Sequence, residues 1–274
     1  MKTMAVTMVK DEADVIGTVL RHMATQVDGI IVADNMSTDD TADILRDVQD
    51  SIDVPMHIIQ DADVGYTQSA KMTHLANTAR LAYPSTQWIV PFDADEIWYS
   101  PFGRVADILD AVGEQWLAMP AKLYDHVATS EDPDEPDPIL RLGWRRNYPA
   151  PLPKVACRWR EDLVIEMGNH GASYRGGTTI HDSQLVIRHF PYRSVEQLVR
   201  KVTNGAAAYK ATDLDPRYGA HWRQWGQILD QSGPEAIDAL FHTWYYRDEP
   251  AAELTIDGET QPPLIYDPAP VHGF

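Results

Sequence analysis

Three times in its first ninety-odd residues the chain passes from a short apolar run to a stretch of helical spacing. Residues 4–9 (MAVTMV), 29–33 (GIIVA), 54–59 and 88–92 have the length and composition of buried strands. Between them, residues 13–26, 41–49 and 66–82 read as helices. The first places Val15, Ile16, Val19, Leu20 and Met23 on one face. The Asp, Asn, Ser and Thr of residues 34–41 are loop chemistry and supply an N-cap for the second helix. Such alternation predicts an α/β fold: a mainly parallel sheet with right-handed crossovers and helices on its faces. Each predicted strand closes on a carboxylate, Asp11, Asp34, Asp61 or Asp93. Ligands of open α/β sheets bind at the C-terminal edge of the strands. That edge is therefore expected to be lined with acids.

The fourth strand carries the most chemistry. Its apolar run, Trp88-Ile89-Val90-Pro91-Phe92, ends in Asp93-Ala94-Asp95-Glu96. On an extended segment Asp93 and Asp95 share one side. Two carboxylates so placed repel unless a cation lies between them. Mg²⁺ or Mn²⁺ accepts such an oxygen-rich site and brings phosphate oxygens with it. Composition sharpens the point. The chain has 23 Lys and Arg against 41 Asp and Glu, a net charge of −18. Such a surface repels nucleic acid and anionic membranes. An anionic ligand must then be met by local basic residues or by a metal. Hydrophobic residues make up 44 %, so a packed core is expected. Cys157 is the single cysteine, so no internal disulfide forms. No apolar run approaches the roughly 20 residues a membrane helix needs. The N-terminus becomes charged too early for a signal peptide, and a cytoplasmic location is expected.

Beyond Glu96 the alternation stops. Residues 101–112 read as a helix and 115–123 as a strand. Residues 130–138 (SEDPDEPDP) read as a mobile acidic loop. Arg141, Arg145, Arg146, Lys154, Arg158 and Arg160 follow within twenty residues and suggest a local anion site. Gly168-Asn169-His170-Gly171 is suited to a turn, and residues 185–190 to a strand ending in His189. Residues 194–211 read as a helix capped by Ser194. Two more helices, 219–231 and 234–246, carry Trp222, Trp225 and Trp244 as packing residues. Residues 255–274 read as a tail draped over the surface. The expected organisation is a catalytic domain over 1–192 and a helical extension over 193–274.

Taken in order, MVKDEADVI, VADNMSTDDT, FDADE, the GNH turn and RHFPYRS resemble the family 2 type of glycosyltransferase with a GT-A, Rossmann-like fold. The resemblance covers about the first two hundred residues. It implies a nucleoside-diphosphate sugar as donor, a UDP-sugar first among them, with Mn²⁺ or Mg²⁺ as cofactor. The acceptor would be a glycan, protein or small molecule. Asp34 would contact the nucleoside with Asp61 beside it, and Lys71 would reach a phosphate. Asp93 and Asp95 would hold the metal, with His189 as third ligand. Elementary chemistry agrees, because the sugar carbon becomes oxocarbenium-like as charge builds on the departing pyrophosphate. A cation bridging the phosphates stabilises that charge, and Lys154 or Arg158 would add to it. Asp95→Ala is expected to abolish transfer and leave the fold intact.

The catalytic base is less determined. An inverting enzyme needs one within reach of the acceptor hydroxyl. His170 comes first, flanked by glycines, with Glu166, Asp162 and Glu161 as carboxylate alternatives. Rival readings are a haloacid-dehalogenase-like phosphatase using Asp93 as nucleophile and a non-catalytic nucleotide-sugar-binding protein. The phosphatase motif usually ends the first strand, and here the motif ends the fourth. A sugar nucleotidyltransferase would need a Gly-rich loop after the first strand, which the sequence lacks.

Overall fold

The structure, a computed structural model, describes residues 1–270 apart from 64, 66, 214 and 216. Eight strands build one sheet: β1 (Thr3–Val9), β2 (Gly29–Asp34), β3 (Met56–Gln60), β4 (Trp88–Pro91), β5 (Glu96–Tyr99), β6 (Ala118–Asp125), β7 (Lys154–Arg158) and β8 (Val186–His189). Their order across the sheet is β3-β2-β1-β4-β7-β6-β8-β5. β3, β2, β1 and β4 run parallel. The connections are α1 (Ile16–Gln26), α2 (Thr41–Ser51) and α3 (Gln68–Ala82). The α/β class and the three crossovers are as the alternation predicted, except that the start of the third helix, expected at Tyr66, lies outside the described residues.

Both faces of β1, β2 and β4 are covered, which is why these strands are mainly apolar rather than alternating, whereas β3 at the sheet edge is only partly buried. Ala5, Ile30, Val32 and Val90 turn to the core shared with Leu20 of α1 and Leu45 of α2. Met4, Val6, Ile31 and Ile89 turn the other way, onto Met72, Leu75 and Ala79 of α3.

The second half of the sheet is mixed, and the sequence reading missed β5 and β7. β7 is antiparallel to both neighbours, and β8 is parallel to β6 and antiparallel to β5. The β4–β7 ladder stops at Trp88 and Ile89, whereas β7 stays paired with β6 as far as Lys154. Pro91 is the reason on the β4 side, since it has no N–H to give. The two strands part there, at the edge where Asp93 follows.

After β4 come α4 (Val105–Asp110), α5 (Pro138–Arg141), α6 (Val195–Lys210), α7 (Ala220–Ser232) and α8 (Pro234–Trp244). Ser194 caps α6 as expected, its Oγ accepting from Gln197 N at 3.1 Å. Leu198, Val202, Ile237 and Phe241 of these helices join the core that holds Ala5 and Val90. The change of pattern at 193 is thus no break in the core. Residues 130–138 are folded back by Asp132 on Thr129, and Asp137 caps α5. The draped tail is a correction. Leu254–Ile256 and Glu259–Gln261 form a hairpin, and Ile265–Tyr266 pairs with Trp144–Arg145. Asp267 locks that pairing by bonding Arg145 at 2.7 Å and Arg188 at 2.8 Å. Residues 271–274 of the expected tail lie outside the described residues. Among the described residues, no helix is long and apolar enough to cross a membrane.

Candidate active site at the C-terminal edge of the sheet

Asp93 and Asp95 stand in a turn rather than on an extended strand. Glu96 N bonds back to Asp93 O at 3.1 Å, and β5 begins at Glu96 beside β8. The expectation that both aspartates share one side is corrected accordingly: each meets its own partners. Asp93 accepts from Lys154 Nζ at 2.5 Å, Asn169 Nδ2 at 2.9 Å and Gln68 Nε2 at 3.3 Å. Lys154 also meets the buried Glu96 at 2.9 Å. Burial pulls the Lys154 ammonium down, but Asp93 and Glu96 outweigh it and hold it above its usual range. Burial pushes Glu96 up, with Lys154 opposing.

Asp95 is buried and belongs to the other flank of the turn. Its Oδ2 accepts from Lys201 Nζ at 2.6 Å, with Arg193 Nη1 at 3.7 Å, and its Oδ1 faces His189 Nε2 at 3.6 Å. Burial alone would raise the carboxyl; Lys201, His189 and Arg193 instead hold it well below the carboxylate range. Arg193 is pinned by Asp14 at 2.8 Å and Glu12 at 2.5 Å.

His189 lies between two acids because β8 pairs with β5 at His189–Glu96 and with β6 at His189–Asp125. Its Nδ1 bonds Asp125 Oδ1 at 2.7 Å. Burial lowers the imidazole, but Asp95 and then Asp125 outweigh it and raise it above its ordinary value. A ring whose Nδ1–H donates to a carboxylate presents Nε2 as a metal-ligating face, the common arrangement around bound cations. Asp95 Oδ1 with His189 Nε2 therefore fits a divalent ion as an O,N pair. Asp93 is drawn toward Lys154 and Asn169, and among the described residues no three His, Cys, Asp or Glu side chains gather as a ready metal group.

The opposite end of the same edge is a cleft of about 330 Å³ between β3 and α3, lined in part by Asp61, Asp63, Lys71 and His74. Lys71 bonds Asp61 Oδ2 at 2.7 Å. Asn35 Nδ2 donates to the same oxygen at 3.0 Å. Asp34, 2 % exposed, accepts from Ser37 N at 3.1 Å and Gln60 Nε2 at 3.3 Å. Asp11, with φ +54°, accepts from Thr38 N at 2.7 Å and Asn204 Nδ2 at 2.9 Å. The row of acids at the strand ends is thus real, and each acid is held in place by a named donor.

The GNH turn also reaches this edge. His170 Nδ1 bonds Pro153 O at 2.8 Å. A carbonyl only accepts, so Nδ1 carries the proton and Nε2 is left as the basic nitrogen. Burial lowers the imidazole, with Lys154 adding to that effect. Gly168 has φ +70°, and a Cβ there would clash with the His170 ring. Asn169 is fully buried at φ +58°, with Nδ2 on Asp93 and Oδ1 lacking a hydrogen-bond partner. Strain of that kind persists only where the surroundings enforce it.

Of the other base candidates, Glu166 opens the same turn, its N bonding Gly171 O at 2.9 Å. Glu166 is exposed and bonded to Ser173. Asp162 accepts from Arg175 N at 2.9 Å, and Glu161 is exposed. Their segment returns to the site along α3, from Trp159 on Asn77 to Gly168 on Gln68. That path is about 13 Å at the helical rise. The basic run disperses as well, which corrects the expected anion site. Arg158 pairs with Trp88 at the far edge and bonds Trp116 O at 3.0 Å. It is about 13 Å along β7 from Lys154. Arg141 bonds Arg193 O, Arg145 takes Asp267, and Arg146 bonds Trp244 O. Only Lys154 of the run reaches Asp93. Sequence reasoning missed Lys201, Arg193, Asn169 and Asp125. One signal was available: Gln197, Lys201 and Asn204 recur at helical spacing on a face of α6 that meets the sheet.

The fold and the edge together define an α/β protein whose sheet carries a row of acids and their basic partners along one margin. No protein-family model matches the chain, and no curated relative matches it. Solved structures do resemble it. Residues 1–349 of S. aureus TarS, in complex with UDP, align over 85 % of this chain and 73 % of that one, at 12 % identity and a TM-score of 0.38. The mannosyltransferase PcManGT from Pyrobaculum calidifontis, in complex with GDP-Man and Mn²⁺, aligns over 86 % and 72 %, at 16 % identity and a TM-score of 0.46.

Proposed function

We propose that the chain is a metal-dependent glycosyltransferase that moves a sugar from a nucleoside-diphosphate sugar, with a UDP-sugar first among donors, to an acceptor hydroxyl. The observation that carries this is the order of groups along one sheet edge. The Asp61–Lys71 cleft lies at β3, Asp34 at β2, Asp93 after β4, Lys154 on β7, and Asp125 with His189 at the ends of β6 and β8. A donor laid along that edge has its nucleoside in the cleft and its diphosphate at the 93–96 turn.

Asp95 and His189 would hold the cation, Asp93 joining them, while Asp125 orients the imidazole. When bound, the cation acts as a Lewis acid on the diphosphate. Lys154 holds the Asp93 carboxylate in place at 2.5 Å. His170, its Nδ1–H fixed on Pro153 O, offers Nε2 to take the acceptor proton as the new glycosidic bond forms. Asn169 positions Asp93 rather than touching the sugar. The fold and this edge support the GT-A reading.

The test is a thermal-shift panel of UDP, GDP and their sugars, with and without Mn²⁺, since a ligand of the native state raises its melting point. A UDP shift that requires Mn²⁺ is expected. A protein that no nucleoside diphosphate stabilises in Mn²⁺ is not this enzyme, and a covalent phosphate on Asp93 would make it the phosphatase instead.

A further inference from the structure

Lys201 holds a place that packing does not require. It lies on the stripe of α6 that faces the acidic edge. Along it, Gln197 Oε1 accepts from Arg193 N at 3.2 Å, Lys201 meets Asp95 at 2.6 Å, and Asn204 donates to Asp11 at 2.9 Å. Beyond Asp95 the lysine meets Pro191 O at 3.2 Å and lies over the Tyr192 ring, 5.8 Å from its centroid. An ammonium carries three protons, so two acceptors do not exhaust it. Its side chain is 24 % exposed and that of Asp95 is 4 %. The lysine can therefore swing while the aspartate stays. Arg193, the other cation beside Asp95, is held by Glu12, Asp14 and Phe190 O and has no such freedom.

Asp95 is thus divided between two demands. Oδ2 is occupied by Lys201, and Oδ1 faces the nitrogen that suits a metal. A divalent ion and an ammonium on one carboxylate repel each other at short range. We propose that Lys201 is the counter-ion of Asp95 in the unloaded site and passes from Asp95 to the diphosphate when the donor arrives with its cation. This rests on the reading of Asp93, Asp95 and His189 as the metal site. Before loading, a buried carboxylate needs a cation, and Lys201 supplies it. With a cation held by Asp95 and His189, Lys201 would be released from Asp95 and would lie beside the diphosphate. The helical C-terminal extension then contributes a donor-binding residue, and α6 registers whether the site is full.

The test uses the full chain with Lys201→Met and Lys201→Arg. Mn²⁺ alone is titrated by following the free-ion electron paramagnetic resonance signal, and UDP is titrated calorimetrically in saturating Mn²⁺. Lys201→Met is expected to bind Mn²⁺ alone about tenfold tighter and UDP about tenfold weaker, shifts that are each readily measured. Lys201→Arg should stay near wild type in both. A lysine that merely braces the fold moves both affinities the same way, and that result, or no change, overturns the proposal. If Lys201→Met does not fold, Lys201→Gln is judged by the same opposite signs. Wild-type protein that binds no Mn²⁺ even with UDP sinks the metal reading and this inference together. Metal-dependent UDP binding without the opposite shifts sinks the inference alone.

Discussion

The two flanks of the 93–96 turn differ more than their spacing suggests. Asp93 faces β7 and the 168–170 turn, is about one-third exposed, and shares Lys154 with Glu96. Asp95 faces α6 and β8, is almost wholly buried, and is compensated by Lys201, Arg193 and His189. One flank is thus open to ligand, and the other is part of the structure that keeps the C-terminal helices on the sheet. Two residues of one short motif can carry the same chemistry and very different shares of stability.

The largest effect is expected at Asp95. Asp95→Ala should lose detectable transfer and about 3–5 kcal/mol of stability, because it removes the buried counter-ion of Lys201 and a partner shared by Arg193 and His189. Urea denaturation measures the second quantity. This replaces the expectation that the variant keeps its fold unharmed. Asp93→Ala should lose transfer as completely but only about 1–3 kcal/mol, because Lys154 retains Glu96. Equal destabilisation by the two changes would erase the distinction between the flanks.

His170→Gln comes next, on the open flank. General-base loss is expected to lower the rate about 10²–10⁴-fold. The sign of the pH dependence follows from burial, which depresses the imidazole below its ordinary value. Wild-type turnover should therefore be flat near neutral pH and fall as acid carries His170 through that lowered value. The same group contributes stability above the unfolded value of about 6.5 and loses it as pH falls. The glutamine variant should lack the acid limb of the rate profile; an unchanged limb assigns it to another group.

How far the sequence could be read divides along the same line. The parallel half was legible because strands buried on both faces read as short unbroken apolar runs while the helices between them repeat at helical spacing, and Ile30 and Ile31 fall in such a run as Leu20 and Met23 fall on such a face. Asp34, Asp61, Asp93 and His189 were legible because strand ends are marked by abrupt changes of polarity. β7 was not, because Lys154 and Arg158 bound it and make an inserted antiparallel strand look like a basic loop. The partners of Asp95 were not legible either. Arg193 and Lys201 reach it only after the chain has crossed the sheet and returned, a contact of 106 residues' separation for Lys201 that no local pattern encodes.

The smallest effect tests whether that distant flank is held by its cap or by its ion pairs. Ser194 Oγ accepts from Gln197 N at 3.1 Å at the start of α6. Ser194→Ala removes this bond and should cost about 1 kcal/mol, a fall in melting temperature of roughly 2–4 °C for a chain of this size. Leu198 and Val202 remain in the core, and Lys201 remains on Asp95, so α6 should stay docked and UDP affinity in Mn²⁺ should change less than about threefold. A loss of donor affinity as large as that of Lys201→Met would mean that the first turn of the helix, not the Lys201–Asp95 pair, sets the position of the closed flank.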